Sequence, residues 1–292
     1  MITDCQTDRV FISSELSACY AQVAAGLREA LGPKLKTIYG AKDVWARDYM
    51  PIQIDTGQFV QFRFHPNYLK GRPKERTTDG AALVALTGGQ GHNASCRCCN
   101  LVIDGGNVVR WSDAVIMTDK IYRENGSIPR QLLRRRLQSV LRLNRLIVIP
   151  REPYDLFGHA DGMVRFADDR TVLVNHPVNE DRLGRELRPH YVKVARVIRQ
   201  HGFTPIEFPY QPTEERNADG IPSAKGVYIN FLQTADMIVF PTFGWPDADG
   251  RAQRVLRQTF PRYRIIPLDC NDLAVDGGLL NCVTWNVKGP LR

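Results

Sequence analysis

A cysteine placed shortly after a glycine pair near the C-terminus is the residue best suited to nucleophilic chemistry in this sequence. Cys282 follows Gly277 and Gly278 by a few positions, and paired glycines let a backbone turn and come close to a ligand. A thiol reacts as the thiolate and is mostly protonated at neutral pH, so it needs a neighbour that activates it. Without such a neighbour, the ordinary interpretation of Cys282 is a buried structural cysteine.

Other side chains at the ends of predicted strands supply candidates for that activation. They are Asp48, Asp104, His159 and Asp161. A histidine beside a cysteine provides a general acid and base. A carboxylate beside the histidine, for which Asp104 is the candidate, orients the ring and favours its charged form. We therefore expect catalysis by Cys282, His159 and Asp104.

Asp48 and Asp161 then remain as two further carboxylates at a cysteine site, and they constrain the substrate. Two anions would oppose the negative charge that develops during attack on a neutral acyl group. A flat cation is instead bound well by carboxylates, because each carboxylate can accept a two-pronged pair of hydrogen bonds from a guanidinium group. Bound positive charge also favours the thiolate. This combination predicts a small cationic guanidine substrate.

Each of these residues also has an ordinary structural interpretation. Asp48 could pair with Arg47, and Asp104 could be a turn residue before two glycines. His159 and Asp161 could belong to a surface turn. Their joint presence at strand ends with near-regular spacing favours a functional site.

The elements that must position these residues alternate two strands with one helix along the chain. The periodicity predicts helices over residues 14–31, from Ser127 with Pro129 in the first turn, 189–200 and 249–260. Apolar runs predict strands at 52–54, 59–62, 101–103, 114–117, 146–149, 171–174, 204–208, 226–231, 237–240 and 265–268. Loops are predicted at 67–78 and 88–93, with a short helix at 81–86; the loops at 67–78 and 214–225 are expected to influence substrate choice.

The marked strand ends recur at a rough period. Asp48, Asp104, His159, Asn230 and Cys282 are separated by 56, 55, 71 and 52 residues. Periods somewhat above fifty residues predict a radial or stacked architecture built from one supersecondary unit. No linker or change of composition divides the chain, so we expect a single domain over residues 1–292.

The composition indicates an ordinary globular protein. Hydrophobic residues make up 43% of the 292 residues and charged residues 24%. No run of eighteen apolar residues predicts a membrane span, and the first residues lack the pattern of a signal peptide. The seven cysteines are odd in number and show no disulfide spacing, which indicates a reducing compartment. We therefore expect a cytoplasmic protein without membrane association.

The net charge and the cysteines point to two other candidate partners, nucleic acid and a metal ion. The net charge of +8 includes a run of three arginines at 134–136. The basic residues are otherwise scattered among acids, and no nucleic-acid-binding motif is present. We therefore expect these residues on solvated helix faces and expect no nucleic-acid binding. Cys96, Cys98 and Cys99 near His92 lack the second cysteine pair of a zinc site. We expect packing cysteines leading into a strand, and no metal or cofactor.

Four motifs in order resemble the guanidine-modifying superfamily with the pentein fold. They are Trp45-Ala-Arg47-Asp48 with Pro51, Asp104-Gly-Gly-Asn107, Gly158-His159-Ala-Asp161 with Arg165-Phe166, and the glycine-led Cys282. The sequence looks most like agmatine deiminases and the bacterial-type peptidylarginine deiminases, from about Val44 onwards. The segments Tyr228-Ile-Asn230-Phe231, Val239-Phe-Pro241-Thr-Phe243-Gly244 and Phe260-Pro261 resemble the last third of agmatine deiminase.

This resemblance implies an α/β protein of five ββαβ units arranged as a pseudo-fivefold α/β propeller with a central site. It implies that Cys282 attacks the guanidinium carbon, that ammonia leaves, and that a covalent amidino-thioether forms. Water activated by His159 then yields a ureido product, with Asp104 orienting His159 and no metal required. The substrate-binding residues that the resemblance implies are Asp48, Asp161, Trp45 and Arg165.

Two departures from agmatine deiminases leave the substrate open among agmatine, arginine and peptidyl arginine. Those enzymes usually carry glutamate at the position of Asp104. They carry a histidine before the cysteine, where Leu279-Leu280-Asn281 stands here in a form similar to dimethylarginine dimethylaminohydrolases. Agmatine as substrate would imply a role in putrescine biosynthesis, and relatives of this kind are often homodimers. The alternatives are an amidinotransferase that uses the same intermediate and a non-catalytic pentein-fold binding protein.

Overall fold

The chain contains five three-stranded sheets in the computed structural model, which describes residues 1–66, 69, 77 and 94–289. The strands are β1 (Arg9–Ser13), β2 (Leu35–Ile38), β3 (Ile52–Asp55), β4 (Gln58–Arg63), β5 (Ser95–Val102), β6 (Val109–Trp111), β7 (Ala114–Thr118), β8 (Arg145–Ile149), β9 (Val164–Phe166), β10 (Thr171–Pro177), β11 (Thr204–Tyr210), β12 (Leu232–Gln233), β13 (Met237–Thr242), β14 (Arg264–Asp269) and β15 (Thr284–Val287). The α-helices are α1 (Ser14–Cys19), α2 (Ala21–Leu31), α3 (Ala46–Tyr49), α4 (Lys120–Glu124), α5 (Arg130–Leu141), α6 (Arg182–Gln200), α7 (Pro246–Thr259) and α8 (Asn271–Ala274). Single turns of 3-10 helix lie at Asp4–Gln6, Gly32–Lys34, Gly105–Asn107 and Ala160–Gly162.

All five sheets share one topology. Their strand orders are β15-β1-β2, β3-β4-β5, β6-β7-β8, β9-β10-β11 and β12-β13-β14. In each sheet the first two strands run antiparallel and the last two run parallel. A parallel pair needs a crossover, which helices supply between β1 and β2, β7 and β8, β10 and β11, and β13 and β14. The expected α/β fold of repeated ββαβ units is thereby confirmed.

The ends of the described chain meet in one sheet, because the late strand β15 pairs with the early strand β1. The β4–β5 connection lies mostly outside the described residues. The loops predicted at 67–78 and 88–93 and the helix predicted at 81–86 belong to that connection, so they lie outside the described residues too, apart from positions 69 and 77. Among the described residues, no helix combines the length and apolarity that crossing a bilayer requires.

The sheets and helices bury their apolar faces against each other. The middle strand β7 is buried at every residue, as expected for a strand covered on both faces. Helix α5 instead buries a single stripe, Leu133, Leu137 and Leu141, at the helical period that the sequence predicts. Cys96, Cys98 and Cys99 lie within β5, where a strand was expected to follow them.

Four predicted helices begin or end elsewhere in the structure. Helix α5 begins at Arg130, so Pro129 precedes its first turn, and α7 begins at Pro246 and not at residue 249. The helix predicted over 14–31 is broken at Tyr20, which has non-helical backbone angles (φ −136°, ψ 63°), and the Tyr20 hydroxyl donates a hydrogen bond to Asp276. The helix predicted from Pro189 begins earlier, because the Asp181 side chain accepts a hydrogen bond from the backbone N–H of Gly184 (2.7 Å) and caps the first turn. Pro189 therefore lies inside α6.

The strand predicted over 226–231 is wrong. Gly226 adopts a positive φ of 81°, and a Cβ atom there would lie 2.0 Å from the backbone oxygen of Gln211, so the chain turns sharply where the apolar run predicted an extended segment. The strand β12 begins only at Leu232. The turn brings Asn230 to the start of this unit's first strand.

A buried cluster around Asp4 joins different units. Asp4 Oδ1 lies 2.9 Å from Arg110 Nη2 in β6 and 3.9 Å from Arg47 Nη1 in α3, and Asp4 Oδ2 lies 3.2 Å from Arg165 Nη2 in β9. Burial opposes ionisation of Asp4, yet Arg110, Arg165 and Arg47 together hold the pKa of its carboxyl well below its ordinary value. Paired charges can be buried at moderate cost, so this cluster ties three units to the N-terminal segment.

Candidate active site

Five polar side chains occupy equivalent positions in the repeat, immediately before the first strand of each unit. Asp48 precedes β3, Asp104 precedes β6, His159 precedes β9, Asn230 precedes β12 and Cys282 precedes β15. The near-regular spacing in the sequence therefore reflects the repeated topology of the fold. The structure brings these residues to one region because equivalent ends of the five units face each other.

A cavity of about 110 Å³ lies at this region. Its wall includes Trp45, Asp48, His159, Asp161, Asn230 and Cys282. Asp104 is almost completely buried and supports the wall from behind His159. The segment 214–225, which was expected to influence substrate choice, contributes Pro222, Ser223 and Ala224 to the wall.

The Cys282 thiol faces acceptors in this cavity. Its Sγ lies 3.4 Å from Asn230 Oδ1 and 3.7 Å from Asp161 Oδ2. Burial raises the pKa of the Cys282 thiol well above its ordinary value, and the charges of Asp161 and then Asp48 raise it further. The thiol is therefore protonated at neutral pH while the cavity holds no cation.

His159 is held between two carboxylates. Its Nε2 lies 3.0 Å from Asp104 Oδ2, and its Nδ1 lies 3.7 Å from Asp48 Oδ1. Burial and the Lys120 ammonium oppose the imidazolium, but Asp48 and Asp104 outweigh them and raise the pKa of His159 to about 9. Burial would raise the pKa of Asp104, but Lys120 and His159 hold it at about 2. His159 is thus a proton donor at neutral pH.

Asp48 is the second carboxylate beside the ring. It accepts a hydrogen bond from the backbone N–H of Gly106 (2.9 Å). Burial raises its pKa to about 6, with the negative charges of Asp104 and Asp161 acting in the same direction and His159 against them. A cation bound beside Asp48 favours its ionised form.

Gly106 leaves room for the convergence of the three polar groups. A Cβ atom on Gly106 would lie 2.7 Å from Asp48 Oδ1, 2.8 Å from His159 Nδ1 and 3.3 Å from Asp161 Oδ2. The absence of a Cβ at position 106 therefore lets two carboxylate oxygens and one imidazole nitrogen converge on the Gly106 backbone. Two carboxylates brought together in this way suit a small, flat partner rich in N–H donors.

We expect Gly106→Ala to weaken substrate binding and turnover about a hundredfold, because the added methyl group displaces Asp48 and His159 from their positions. Steady-state kinetics together with a thermal melt would measure this. Gly250→Ala in α7 is the matched control: its Cβ would meet only the Arg254 side chain at 3.5 Å, so activity should be unchanged. Equal losses in both variants would contradict the proposed crowding.

Arg165 stands behind the cavity wall, although substrate binding was expected of it. Arg165 is buried, and its Nη atoms donate to Asn281 Oδ1 (3.0 Å) and to the backbone oxygen of Phe231 (2.9 Å), besides the ion pair with Asp4. The Asn281 amide in turn donates to Asp161 Oδ2 (2.7 Å). Arg165 does not belong to the described cavity wall, and through Asn281 it helps to hold Asp161 in place.

Trp45 packs directly on the glycine turn before Cys282. A Cβ atom on Gly278 would lie 2.3 Å from the Trp45 ring, so only glycine permits this approach. Trp45 directly precedes α3, and this position on the backbone of a short helix fixes where the ring starts. The ring forms part of the cavity wall, where an alkyl chain of a substrate could rest against it.

Sequence reasoning missed several residues that contact the candidate set. Asn230 was recognised only as a strand end, although its side chain contacts Cys282. For Asn281, the only indication of a place at the site was its position next to Cys282 in the sequence. Lys120 follows β7 outside any motif, yet its Nζ contacts both Asp104 and His159. The described residues contain no group of three or more His, Cys, Asp or Glu side chains arranged to hold a metal ion.

Comparison with known proteins gives a family-level match over almost the whole chain. The family model for Porphyromonas-type peptidyl-arginine deiminase matches residues 6–287. An agmatine deiminase of Stutzerimonas stutzeri is 26% identical over 213 residues, which cover 65% of this chain and 58% of that enzyme. The chain thus matches somewhat more than half the length of that relative.

Solved structures show the same fold. The agmatine deiminase of C. jejuni superposes with a TM-score of 0.78 at 15% identity, covering 100% of this chain and 96% of that one. The agmatine deiminase of Enterococcus faecalis superposes with a TM-score of 0.77 at 15% identity, covering 98% and 94%. At such identities the likeness establishes the fold, which is the pentein fold that the sequence motifs implied.

Proposed function

Because the chain belongs to the Porphyromonas-type peptidyl-arginine deiminase family, we propose that it hydrolyses a C–N bond of a guanidinium group through a covalent bond to Cys282. The observation that carries this proposal is the meeting of one thiol, one imidazole and two carboxylates in a single cavity. Enzymes that cleave guanidino groups need a nucleophile, a proton donor and anionic groups that hold the cation, and this cavity contains all three.

The guanidinium group is placed between Asp48 and Asp161. Both carboxylates line the cavity and converge near Gly106, so each can accept hydrogen bonds from the planar cation. Cys282 Sγ lies 3.7 Å from Asp161 Oδ2, which places the sulfur next to a cation that this carboxylate holds. Binding in this way sets the guanidinium carbon in front of the sulfur.

The cation also activates the thiol. The pKa of Cys282 is raised by burial and by the charges of Asp161 and Asp48. A guanidinium between these carboxylates compensates their charge, so the thiolate becomes accessible when substrate is bound. The proton leaves Sγ towards solvent or a neighbouring base before attack. The reactive thiolate is thus formed where a substrate is already in place.

The first half of the reaction replaces a C–N bond with a C–S bond. The thiolate adds to the guanidinium carbon, and the His159 imidazolium gives its proton to the departing nitrogen, which leaves as ammonia. The pKa of His159 of about 9 makes it a proton donor at neutral pH. The product of this half is an S-alkylamidino-thioether on Cys282 and a neutral His159.

The second half replaces the C–S bond with a C–O bond. A water molecule enters the space left by ammonia and gives a proton to neutral His159 as its oxygen adds to the same carbon. The C–S bond then breaks, the remaining hydroxyl proton passes to the departing sulfur, and the ureido product is released with the Cys282 thiol restored. The sum is one guanidinium and one water converted to one ureido group and one ammonium ion.

The cavity wall favours a substrate without a carboxylate. The wall contains Asp276 in addition to Asp48 and Asp161, and its described residues include no lysine or arginine. Glu152 and Asp155 also line it, but burial raises the pKa of both carboxyls, that of Glu152 to about 7, so they contribute less negative charge at neutral pH. A carboxylate on the substrate would meet the like charges of Asp161 and Asp276, which is unfavourable. A guanidine with an amino group at its other end, such as agmatine, suits this wall better than arginine.

The test is a panel of agmatine, arginine and a blocked arginine amide, with ammonia and ureido product measured under reducing conditions. We expect agmatine to react about a hundredfold faster than arginine in kcat/KM, for the electrostatic reason above. No turnover of any of the three by the folded protein would contradict the proposed activity. A new guanidine formed when glycine is added, without a ureido product, would show amidino transfer in place of hydrolysis.

A further inference from the structure

A buried lysine joins the catalytic candidates from behind. Lys120 is the first residue of α4, directly after β7, and its side chain has no exposed surface. Its Nζ lies 2.5 Å from Asp104 Oδ2, 3.0 Å from His159 Nε2 and 3.3 Å from Glu124 Oε1. Lysine is rarely buried without a partner for its charge, so its place here requires an explanation.

We propose that Lys120 is a positioning residue whose ammonium offsets the carboxylates around His159, so that the imidazolium can release its proton and recover it in each turnover. The inference rests on the proposed function, because it assigns Lys120 a part in that reaction. Lys120 does not line the cavity, so it acts through Asp104 and His159 and has no contact with substrate.

The groups that face His159 are mostly acidic. Asp48 and Asp104 lie beside the ring nitrogens, and Asp155 accepts from the His159 backbone N–H. Asp161 Oδ2 and His159 Nδ1 both lie within 3.3 Å of the position that a Gly106 Cβ would take. Glu124 follows on α4, and the Cys282 thiol lies on the far side of the same cavity. Lys120 is the cation that the described residues place in contact with this ring. A ring surrounded by acids alone would hold its proton too tightly to act as a base.

The hydrogen-bond geometry allows Lys120 to change the stability of the His159 imidazolium. Asp104 Oδ2 accepts from both Lys120 Nζ and His159 Nε2, so the ammonium takes part of the negative charge that would otherwise stabilise the imidazolium. An ammonium group can only donate hydrogen bonds. Its 3.0 Å contact with Nε2 is therefore favourable when that nitrogen is unprotonated and repulsive when the ring is charged.

The two halves of the reaction require both forms of His159. The first half needs the imidazolium, and the second needs neutral imidazole to accept a proton from water. Lys120 lowers the pKa of His159 against the carboxylates that raise it, and the balance is a pKa of about 9. Removing the ammonium leaves the carboxylates unopposed, so the ring should stay protonated to higher pH and the second half should slow.

The test compares Lys120→Met with the wild-type protein. Nitrogen NMR of labelled histidine, with the His159 signal assigned by its loss in His159→Gln, should show the His159 pKa rising by about one pH unit or more. Hydrolysis of the amidino adduct should slow about tenfold at a fixed pH below that pKa, because the neutral fraction falls in proportion. The adduct should then accumulate in the intact mass spectrum. Lys34→Met, which breaks the exposed pair with Asp236, is the control and should change neither readout.

An unchanged or lowered His159 pKa in folded Lys120→Met would overturn the inference. If that variant does not fold, the double variant Lys120→Met/Glu124→Gln removes one charge of each sign and should show a smaller upward shift, because the lost Glu124 charge acts on His159 in the opposite direction. In the wild-type protein alone, the Lys120 Nζ signal should move with the His159 titration, and a signal that ignores that titration would equally overturn it. A shifted His159 in a protein that turns over no guanidine would support the charge coupling and reject the proposed deiminase activity, so the two failures are distinguishable.

Discussion

Replacing Cys282 with alanine should abolish guanidine hydrolysis, with kcat reduced at least about 10⁴-fold. The reason is that both halves of the proposed reaction pass through the sulfur, and Cys282 is the only cysteine in the described part of the cavity wall. The variant should still bind guanidines, because both carboxylates remain. A thermal shift with agmatine would show that binding while the ureido product is absent.

The matched control for this variant is Cys98→Ala. Cys98 is an exposed thiol in β5, so its loss makes the same chemical change at a site without the acidic neighbours of Cys282. Its activity should equal that of the wild-type protein. The intact mass of wild-type protein quenched during turnover should include one added amidino group, located on the peptide that carries Cys282. Turnover by Cys282→Ala, or an adduct on a different cysteine, would refute the covalent mechanism.

The repeat explains why so much of the site was visible in the sequence. Asp48, His159 and Cys282 each precede the first strand of a unit and line one cavity, and Asp104, at the same topological position, lies behind His159. A spacing argument can detect this because the units have similar length. It marked these residues as strand ends; in the structure each precedes the first strand of a unit, and Asp104 also follows β5 by two residues.

The spacing of residues along the chain does not predict the partners of long buried side chains. Arg165 belongs to the motif that contains His159, and a substrate contact was predicted for it on that basis. Its partners are Asp4 and Asn281, from the two ends of the chain. Local sequence carries no information on which distant acid a buried arginine will meet, because burial favours whichever paired geometry the whole fold provides. Lys120 was missed for a related reason, since it contacts Asp104 at the start of its own unit and His159 at the start of the next one.

The turn at Gly226 shows a second limit. The apolar residues after it, including the fully buried Tyr228 and Ile229, have the composition of a strand. The close approach of Gln211 fixes the glycine in a conformation that ends any extended run. That approach is a tertiary contact, so composition alone could not predict it. The result matters for the site, because the turn delivers the Asn230 side chain to Cys282.

Asp161→Asn should change two properties of the protein in opposite directions. Guanidine hydrolysis should fall about a hundredfold or more, because one of the two anions that hold the cation is lost. Alkylation of Cys282 by iodoacetamide should become faster, because the charge of Asp161 is one of the causes that raise the pKa of this thiol. Removing that charge lowers the thiol pKa, so the thiolate fraction at a given pH increases.

The opposite signs separate electrostatics from damage to the fold. An asparagine at position 161 can still accept the hydrogen bond from Asn281, so the wall of the cavity should keep its shape. The alkylation rate of the Cys282 peptide, followed by mass spectrometry as a function of pH, should show its midpoint moving to lower pH. Asp236→Asn, the same change at an exposed carboxylate paired with Lys34, should leave both rates unchanged. If hydrolysis and alkylation both slowed in Asp161→Asn, Asp161 would be acting through packing. If only hydrolysis slowed, the carboxylate would bind the substrate without governing the thiol, and substrate-driven activation of Cys282 would have to be abandoned.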